Sequence, residues 1–248
     1  MKDPDKLLPL LKTRPSYLAP CALVVGDPKR AAFAAELLTN AEEVGCNREY
    51  KTFTGVFADK RVTISSHGVG GAGASICFEE LIQGGVKTII RAGTCGAMRA
   101  GIQDGELIIG TGAIREDGTS ESLIPIAYPA IADRHVISAL EAAAAAQNYS
   151  RLHEGIILTQ SYFYNGILLS TSELWLEADS NVCAVEMELA TLLIIASLRG
   201  VRAGGIFTSD GNLTEQADML EYNPHRNIVE EGVRTMLKIA LDALARLA

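Results

Sequence analysis

Two acidic residues stand two positions apart in an otherwise apolar run, Glu186 and Glu188 in Val185-Glu186-Met187-Glu188. On a strand that spacing sends both carboxylates to the same side. A buried carboxylate is costly without partners. The vicinal hydroxyls of a sugar would satisfy one, and ion pairing of Glu186 with Arg91 is the alternative. Arg91 ends the apolar run Thr88 to Ile90, and Thr94 follows in a glycine-flanked loop with a hydroxyl and a backbone N–H to offer. An arginine placed there needs an anion or a carboxylate. Gly26-Asp27-Pro28-Lys29-Arg30 sets a helix N-terminus beside Arg30. That combination suits phosphate, although alone it is an ordinary capped turn with a surface arginine. Asp210, in Ser209-Asp210-Gly211-Asn212, is by itself a turn aspartate. It gains meaning from company, because two arginines, a diol-binding glutamate and an acid would project from one sheet edge.

Three competing chemistries are weaker. Gly68-Val69-Gly70-Gly71-Ala72-Gly73 matches the GxGxxG dinucleotide fingerprint. That fingerprint also wants an acid roughly 20 residues on to hold a ribose, and Arg91 stands there instead. The glycines therefore read as a tight turn with close helix packing, and His67 beside them as a structural histidine. A metal site lacks co-ligands, because the four histidines are scattered. No Ser-His-Asp elbow or P-loop is present.

The elements that must hold these residues alternate between strand and helix. Ala22–Val25, Arg61–Ser65, Thr88–Ile90, Leu107–Gly110, Gly155–Gln160, Val182–Met187 and Ala203–Thr208 read as short buried strands. Helices are expected from Pro28 to Leu38 behind an Asp27 cap, from the glycine turn to Gly84, and from Asp133 to Gln147. Another should follow Met187 and be capped by Gly200. A last helix spans Arg226 to Leu247 with the stripe Val229, Val233, Met236, Ala240 and Leu244. The expected fold is α/β, one domain over residues 1–248, with three layers and a mixed, largely parallel central sheet flanked by helices.

Composition narrows the classes further. The 248 residues are 48% hydrophobic and carry a net charge of −8, which argues against a nucleic-acid partner. No apolar run is long enough to span a membrane, and Met1 to Leu11 lacks a signal-type core. Five cysteines without CxxC spacing read as reduced thiols of a cytoplasmic protein.

The segments VVGDPKR, SSHGVGGAGA, IIRAGTCG, AVEMELATL and FTSDGN, in this order, resemble the nucleoside phosphorylase-I family. With CNREYK, CFEEL and MLKIAL, the wording is most similar to the family's hexameric, purine-specific, apicomplexan-type branch. The resemblance implies reversible phosphorolysis of purine nucleosides, with inosine and guanosine expected, and no metal or organic cofactor. It implies phosphate binding by Gly26, Arg30, Arg91 and Thr94, with Arg48 donated by a neighbouring subunit. Glu188 would hold the ribose hydroxyls, Met187 would pack on the sugar and Glu186 would lie close by. Phe163, Tyr164, Val69 and Ser209 would surround the nucleoside, and Asp210 would share a proton with purine N7. The Gln/Arg pair with which uridine phosphorylases hold a pyrimidine is not found near Tyr162 to Gly166. A homohexamer built as a trimer of dimers, with sites shared across each dimer, is likewise implied. Two positions depart from the pattern. Leu10 stands where the family has a histidine for the 5′-hydroxyl, and Val229 where bacterial members have an arginine assisting the acid, with His225 and Arg226 one turn earlier as candidate substitutes. A non-catalytic nucleoside-binding protein and a Rossmann-type oxidoreductase are the competing classes.

Overall fold

The computed structural model describes residues 6–164, 171–215 and 222–248; Met1 to Asp5 and Gly166 lie outside the described residues. The chain opens with strand β1 (Cys21–Val25), an unbroken buried run. The Asp27 carboxylate accepts from Lys29 N at 2.8 Å and starts helix α1 (Pro28–Ala35) with Pro28 in its first turn. The helix stops three residues short of the expected Leu38. Bonds from Glu36 N, Leu37 N and Leu38 N to carbonyls three residues back tighten the exit into a 3₁₀-like turn.

A meander follows: β2 (Thr39–Asn47), β3 (Tyr50–Phe57) and β4 (Lys60–Ser66). Helix α2 (Gly71–Gln83) leads to β5 (Thr88–Ala97) and β6 (Leu107–Glu116). Then come α3 (Thr119–Leu123), β7 (Ala130–Ile131), α4 (Arg134–Ala146), β8 (Leu152–Gln160) and α5 (Thr171–Glu177). The chain finishes with β9 (Val182–Glu186), α6 (Leu189–Arg199), β10 (Arg202–Asn212) and α7 (Asn227–Leu247). Caps fall where the residue types demand them. Asp133 accepts from His135 N and Val136 N at the start of α4, and Gly200 closes α6 at φ 67°.

Alternation along β1 builds the layers. Ala22 and Val24 pack on one face with α2 and α6, while Cys21, Leu23 and Val25 pack on the other with α1, α4 and α7. The strands join one mixed sheet in the order β10-β6-β8-β9-β5-β1-β4-β3-β2, with β7 beside β6. β1–β4, β1–β5, β5–β10, β6–β8 and β8–β9 are parallel, and the remaining pairs antiparallel. Because β10 also pairs with β5, five strands close into a ring, and the open part of the sheet fans out from β1. Several strands run further than their expected spans, two of them at the cavity. β5 continues through Arg91 and Thr94, and β10 through Asp210, so these side chains stand within strands rather than in turns behind them. Among the described residues no helix is long and apolar enough to cross a membrane.

Candidate active site

Where β1, β4, β5, β9 and β10 approach one another, a cavity of about 850 Å³ opens. Gly26 and Arg30 line it from the β1–α1 turn, Glu49 from the β2–β3 turn, and Gly68 and Val69 from the β4–α2 turn. Arg91, Thr94 and Cys95 enter from β5, Glu186 to Glu188 from the β9–α6 junction, and Asp210 from β10. The outer wall holds Gln160, Tyr162, Phe163, Leu176 and Tyr222.

Arg91 organises one corner. Its guanidinium is 4% exposed, and each nitrogen has a partner: Nε donates to Glu186 Oε2 at 3.0 Å, Nη2 to Glu188 Oε2 at 2.5 Å and Nη1 to His67 Nε2 at 3.0 Å. The plane lies 5.4 Å from the Phe207 ring centre. A Cβ on Gly93 would meet Arg91 Nη2 at 2.9 Å, so only glycine leaves room for the guanidinium. His67 bonds the Gly68 carbonyl through Nδ1 at 2.8 Å, which puts the proton on Nδ1 and leaves Nε2 to accept. Burial, reinforced by the Arg91 charge, holds the His67 pKa well below its ordinary value. His67 is thus a neutral prop for Arg91.

The two glutamates turn out unequal. Glu186 also accepts from Thr159 Oγ1 at 2.6 Å, from Glu188 N at 2.9 Å and from Leu189 N at 3.0 Å. It caps the N-terminus of α6 while pairing with Arg91, and its oxygens are fully engaged. Glu188 is the helix N-cap residue, held by Arg91 and by Gly70 N at 2.5 Å. That last donor is aimed by the backbone of Gly70, which sits at φ 88°. Burial holds the Glu188 carboxyl above its ordinary range against the pull of Arg91.

Among the described residues Arg30 has no hydrogen-bond or ion-pair partner, although it lines the same cavity. Burial and the adjacent Arg91 charge lower its pKa, the signature of a cation wanting an anion. On β10 the register shifts between Ser209 and Gly211, so Asp210 sits on a bulge that re-aims its side chain into the cavity. Only 5% exposed, its carboxyl is pushed up to about 6 by burial, against hydrogen bonds from Tyr222 and Thr94 and the charge of Arg30. Tyr222 OH donates to Asp210 Oδ2 at 2.8 Å.

The sequence-predicted residues therefore divide. Gly26, Arg30, Arg91, Thr94, Val69, Phe163, Glu186, Met187, Glu188 and Asp210 share the cavity. Three lie off its lining. Ser209 is fully buried, its hydroxyl turned onto the Gly211 carbonyl inside the bulge. Tyr164 is 78% exposed and meets Phe163 edge-on. Arg48, at φ 56° in the β2–β3 turn, is exposed outside its own chain's cavity. Phe163 is itself 44% exposed, so neither aromatic is a core residue. Of the two candidate substitutes for the late arginine, His225 and Arg226, it is Arg226 that reaches the Asp210 backbone carbonyl, at 3.0 Å, and it pairs with Asp104; Val229, the position that departs from the pattern, is buried in α7. The donor on Asp210 Oδ2 is Tyr222, which no periodicity or motif marks. Glu49, too, enters the cavity without a sequence signal. Among the described residues no cluster of three or more His, Cys, Asp or Glu could hold a metal ion.

Comparison with known proteins bears on this arrangement. A family model described as the phosphorylase superfamily matches residues 20–245. The purine nucleoside phosphorylase of Plasmodium falciparum is 38% identical over 98% of both chains. The uridine phosphorylase of Treponema pallidum is 34% identical, covering 90% of this chain and 87% of that one. A crystal structure of Toxoplasma gondii purine nucleoside phosphorylase in complex with immucillin-H superposes with a TM-score of 0.92, at 34% identity over 100% of this chain and 98% of that one.

Proposed function

Because the chain belongs to the phosphorylase superfamily, we propose that it catalyses reversible phosphorolysis of purine nucleosides, with inosine and guanosine foremost, to free base and ribose 1-phosphate. The observation carrying this reading is that Arg30, without a partner among the described residues, the Arg91–Glu188 pair and a buried Asp210 whose pKa is pushed up to about 6 line one cavity. Phosphate is the co-substrate, and the chemistry asks for no metal or organic cofactor.

Phosphate would lie against Arg30, Arg91, Thr94 and the Gly26 backbone. A dianion there competes with Glu188 for Arg91 Nη2, and a released Glu188 carboxylate can take the ribose hydroxyls, with Met187 against the sugar. Glu186 keeps Arg91 and α6 in place. Val69 and Phe163 bound the nucleoside. As the glycosidic bond breaks, negative charge grows on the base, and a carboxyl titrating near 6 is suited to give N7 its proton. That acid favours a purine. Pyrimidine phosphorolysis is the second reading, kept open by the Treponema pallidum relative. Phosphate-dependent release of hypoxanthine from inosine, with uridine a poor substrate, is the expected result. Cleavage equally fast without phosphate, or uridine preferred, would sink the purine phosphorylase reading.

The same proposal makes the protein a cytoplasmic homohexamer in which Arg48 completes a neighbour's phosphate site. Asn47 Nδ2 donates to the Leu10 carbonyl at 2.8 Å, which ties the turn carrying the exposed Arg48 to the half-buried Leu10, so a partner would meet the two together. Arg48→Ala and Asp210→Ala chains, each inactive alone, should restore roughly a quarter of the sites when mixed as two-fold dimers. Exchange confirmed by mass without recovered activity would place Arg48 outside the neighbour's site.

A further inference from the structure

The residues around Asp210 carry one more assignment, which rests on the phosphorolysis reading. We propose that Tyr222 is the positioning residue for the reacting carboxyl of Asp210: by donating to Oδ2 it assigns the carboxyl proton to Oδ1, the oxygen left to face the base.

The geometry is a double grip on a single residue. From the segment that leads into α7, Tyr222 OH reaches Asp210 Oδ2 at 2.8 Å, while Arg226 Nη2 reaches the Asp210 carbonyl at 3.0 Å. Arg226 is itself fixed, with Nε on the Asn223 carbonyl at 2.9 Å and Nη1 on Asp104 at 2.5 Å. The Tyr222 ring lies 5.5 Å from that of Phe163 at 55°, so the phenol is steered from the cavity's outer wall as well. The register shift on β10 removes Asp210 from ladder pairing, so its carboxyl is aimed by the Tyr222 and Thr94 hydroxyls while Arg226 holds its backbone.

The chemistry follows from counting protons. Burial and the neighbouring Asp210 charge hold the Tyr222 hydroxyl protonated, so toward Asp210 it acts as a donor. A carboxylic acid accepts best at its carbonyl oxygen, so a donor at Oδ2 leaves the acid proton on Oδ1. During phosphorolysis the Oδ1–H bond breaks as the base N7–H bond forms. The glycosidic C–N electrons go to the base, and a phosphate oxygen bonds the sugar carbon. Asp210 becomes a carboxylate at that moment, and the Tyr222 bond changes from a neutral to a charge-assisted one. An interaction that strengthens along the reaction raises turnover rather than ground-state binding. The other groups facing Asp210 are Thr94 and Cys95 from β5, Arg30 from α1 and Arg226 ahead of α7. None of these is altered by removing one phenolic oxygen.

Tyr222→Phe keeps the ring against Phe163 and deletes only the donor. With inosine, kcat should fall roughly 10–100-fold with KM nearly unchanged, the span of a hydrogen bond to a charged group. Because Tyr222 favours the ionised acid, its removal raises the Asp210 pKa, and the alkaline limb of kcat/KM should move to higher pH. Carboxyl ¹³C NMR of the free protein should show the same upward displacement for Asp210 without any turnover. In an Asp210→Asn background, Tyr222→Phe should add little further loss. An unmoved Asp210 titration, or losses that add fully in the double variant, would overturn the assignment. An NMR displacement in a protein that does not cleave inosine would overturn the purine phosphorylase reading and the part Tyr222 plays in that reaction, while leaving the pairing itself intact.

Discussion

Two buried corners of one cavity treat carboxylates in opposite ways. Around Arg91, Glu186 is surrounded by donors: a guanidinium, the Thr159 hydroxyl and two backbone N–H groups of the α6 start. Around Asp210 the side-chain donors are two hydroxyls, from Tyr222 and Thr94, joined by a backbone N–H, and Arg30 supplies the positive charge that draws its pKa down. Both acids are about 5% exposed, so burial alone does not distinguish them. What separates them is the strength and number of donors, which ties Glu186 into the framework and leaves Asp210 able to exchange a proton near neutral pH. A buried acid hydrogen-bonded to a guanidinium is architecture; one whose side-chain donors are hydroxyls is available for chemistry.

The contrast breaks most visibly at Arg91. Arg91→Ala strands two buried carboxylates, and equilibrium urea unfolding should show a loss of about 3–5 kcal/mol together with loss of activity. A loss below about 1 kcal/mol would mean that the corner does not depend on the pair. At the other corner the effects should be reversed. Asp210→Asn is expected to cut inosine turnover by roughly 10²–10⁴ while leaving the protein at least as stable at pH 7, since a strained ionisation is removed. Unchanged turnover would return Asp210 to the role of a plain bulge residue.

Acid titration sharpens the comparison without touching catalysis. With a folded pKa of about 6 against an ordinary value of 3.8, Asp210 binds its proton more tightly in the folded chain. Its contribution therefore falls as pH rises from about 4 to 6, by ~3 kcal/mol over that window. The Asp210→Asn variant should lose this component of the stability–pH curve, and parallel curves for the two proteins would contradict the assignment. As the smallest effect, Arg199→Ala breaks an ion pair with Glu79 that is exposed though well formed, at 2.8 Å. It should cost less than about 1 kcal/mol, and a cost equal to that of Arg91→Ala would show that burial is not what sets the scale.

The sequence made the parallel strands legible because they are short, largely apolar runs, some stopped at once by a glycine turn, as after β1. It hid the β2–β3 hairpin for the opposite reason. Apart from Gly45, Thr39–Asn47 is largely exposed, and an edge strand without a buried face has little hydrophobic pattern. Glycines and polar residues after Ile90 and Thr208 read as strand ends. In the fold those strands continue, because the Arg91 charge is buried against carboxylates and the β10 bulge absorbs Asp210. The residue types lining the cavity were readable from the same motifs. Their pairings were not, since Arg91 meets Glu188 across almost a hundred positions and Tyr222 belongs to no pattern.

The closure of the sheet between β5 and β10 also sets an order of assembly. Thr88 and Arg202 begin a parallel ladder between segments more than a hundred residues apart, so a large loop must be ordered before that ladder forms. Contacts of such separation slow folding, because chain entropy is spent before the pairing stabilises it. Arg91 and Thr94 ride on one of these strands and Asp210 on the other. A refolding chain can thus gain much of its helix and its meander while the cavity is still in two unjoined halves. Regained activity should accordingly lag behind regained far-UV circular dichroism, and follow the same time course as protection of the β5–β10 amides from hydrogen exchange.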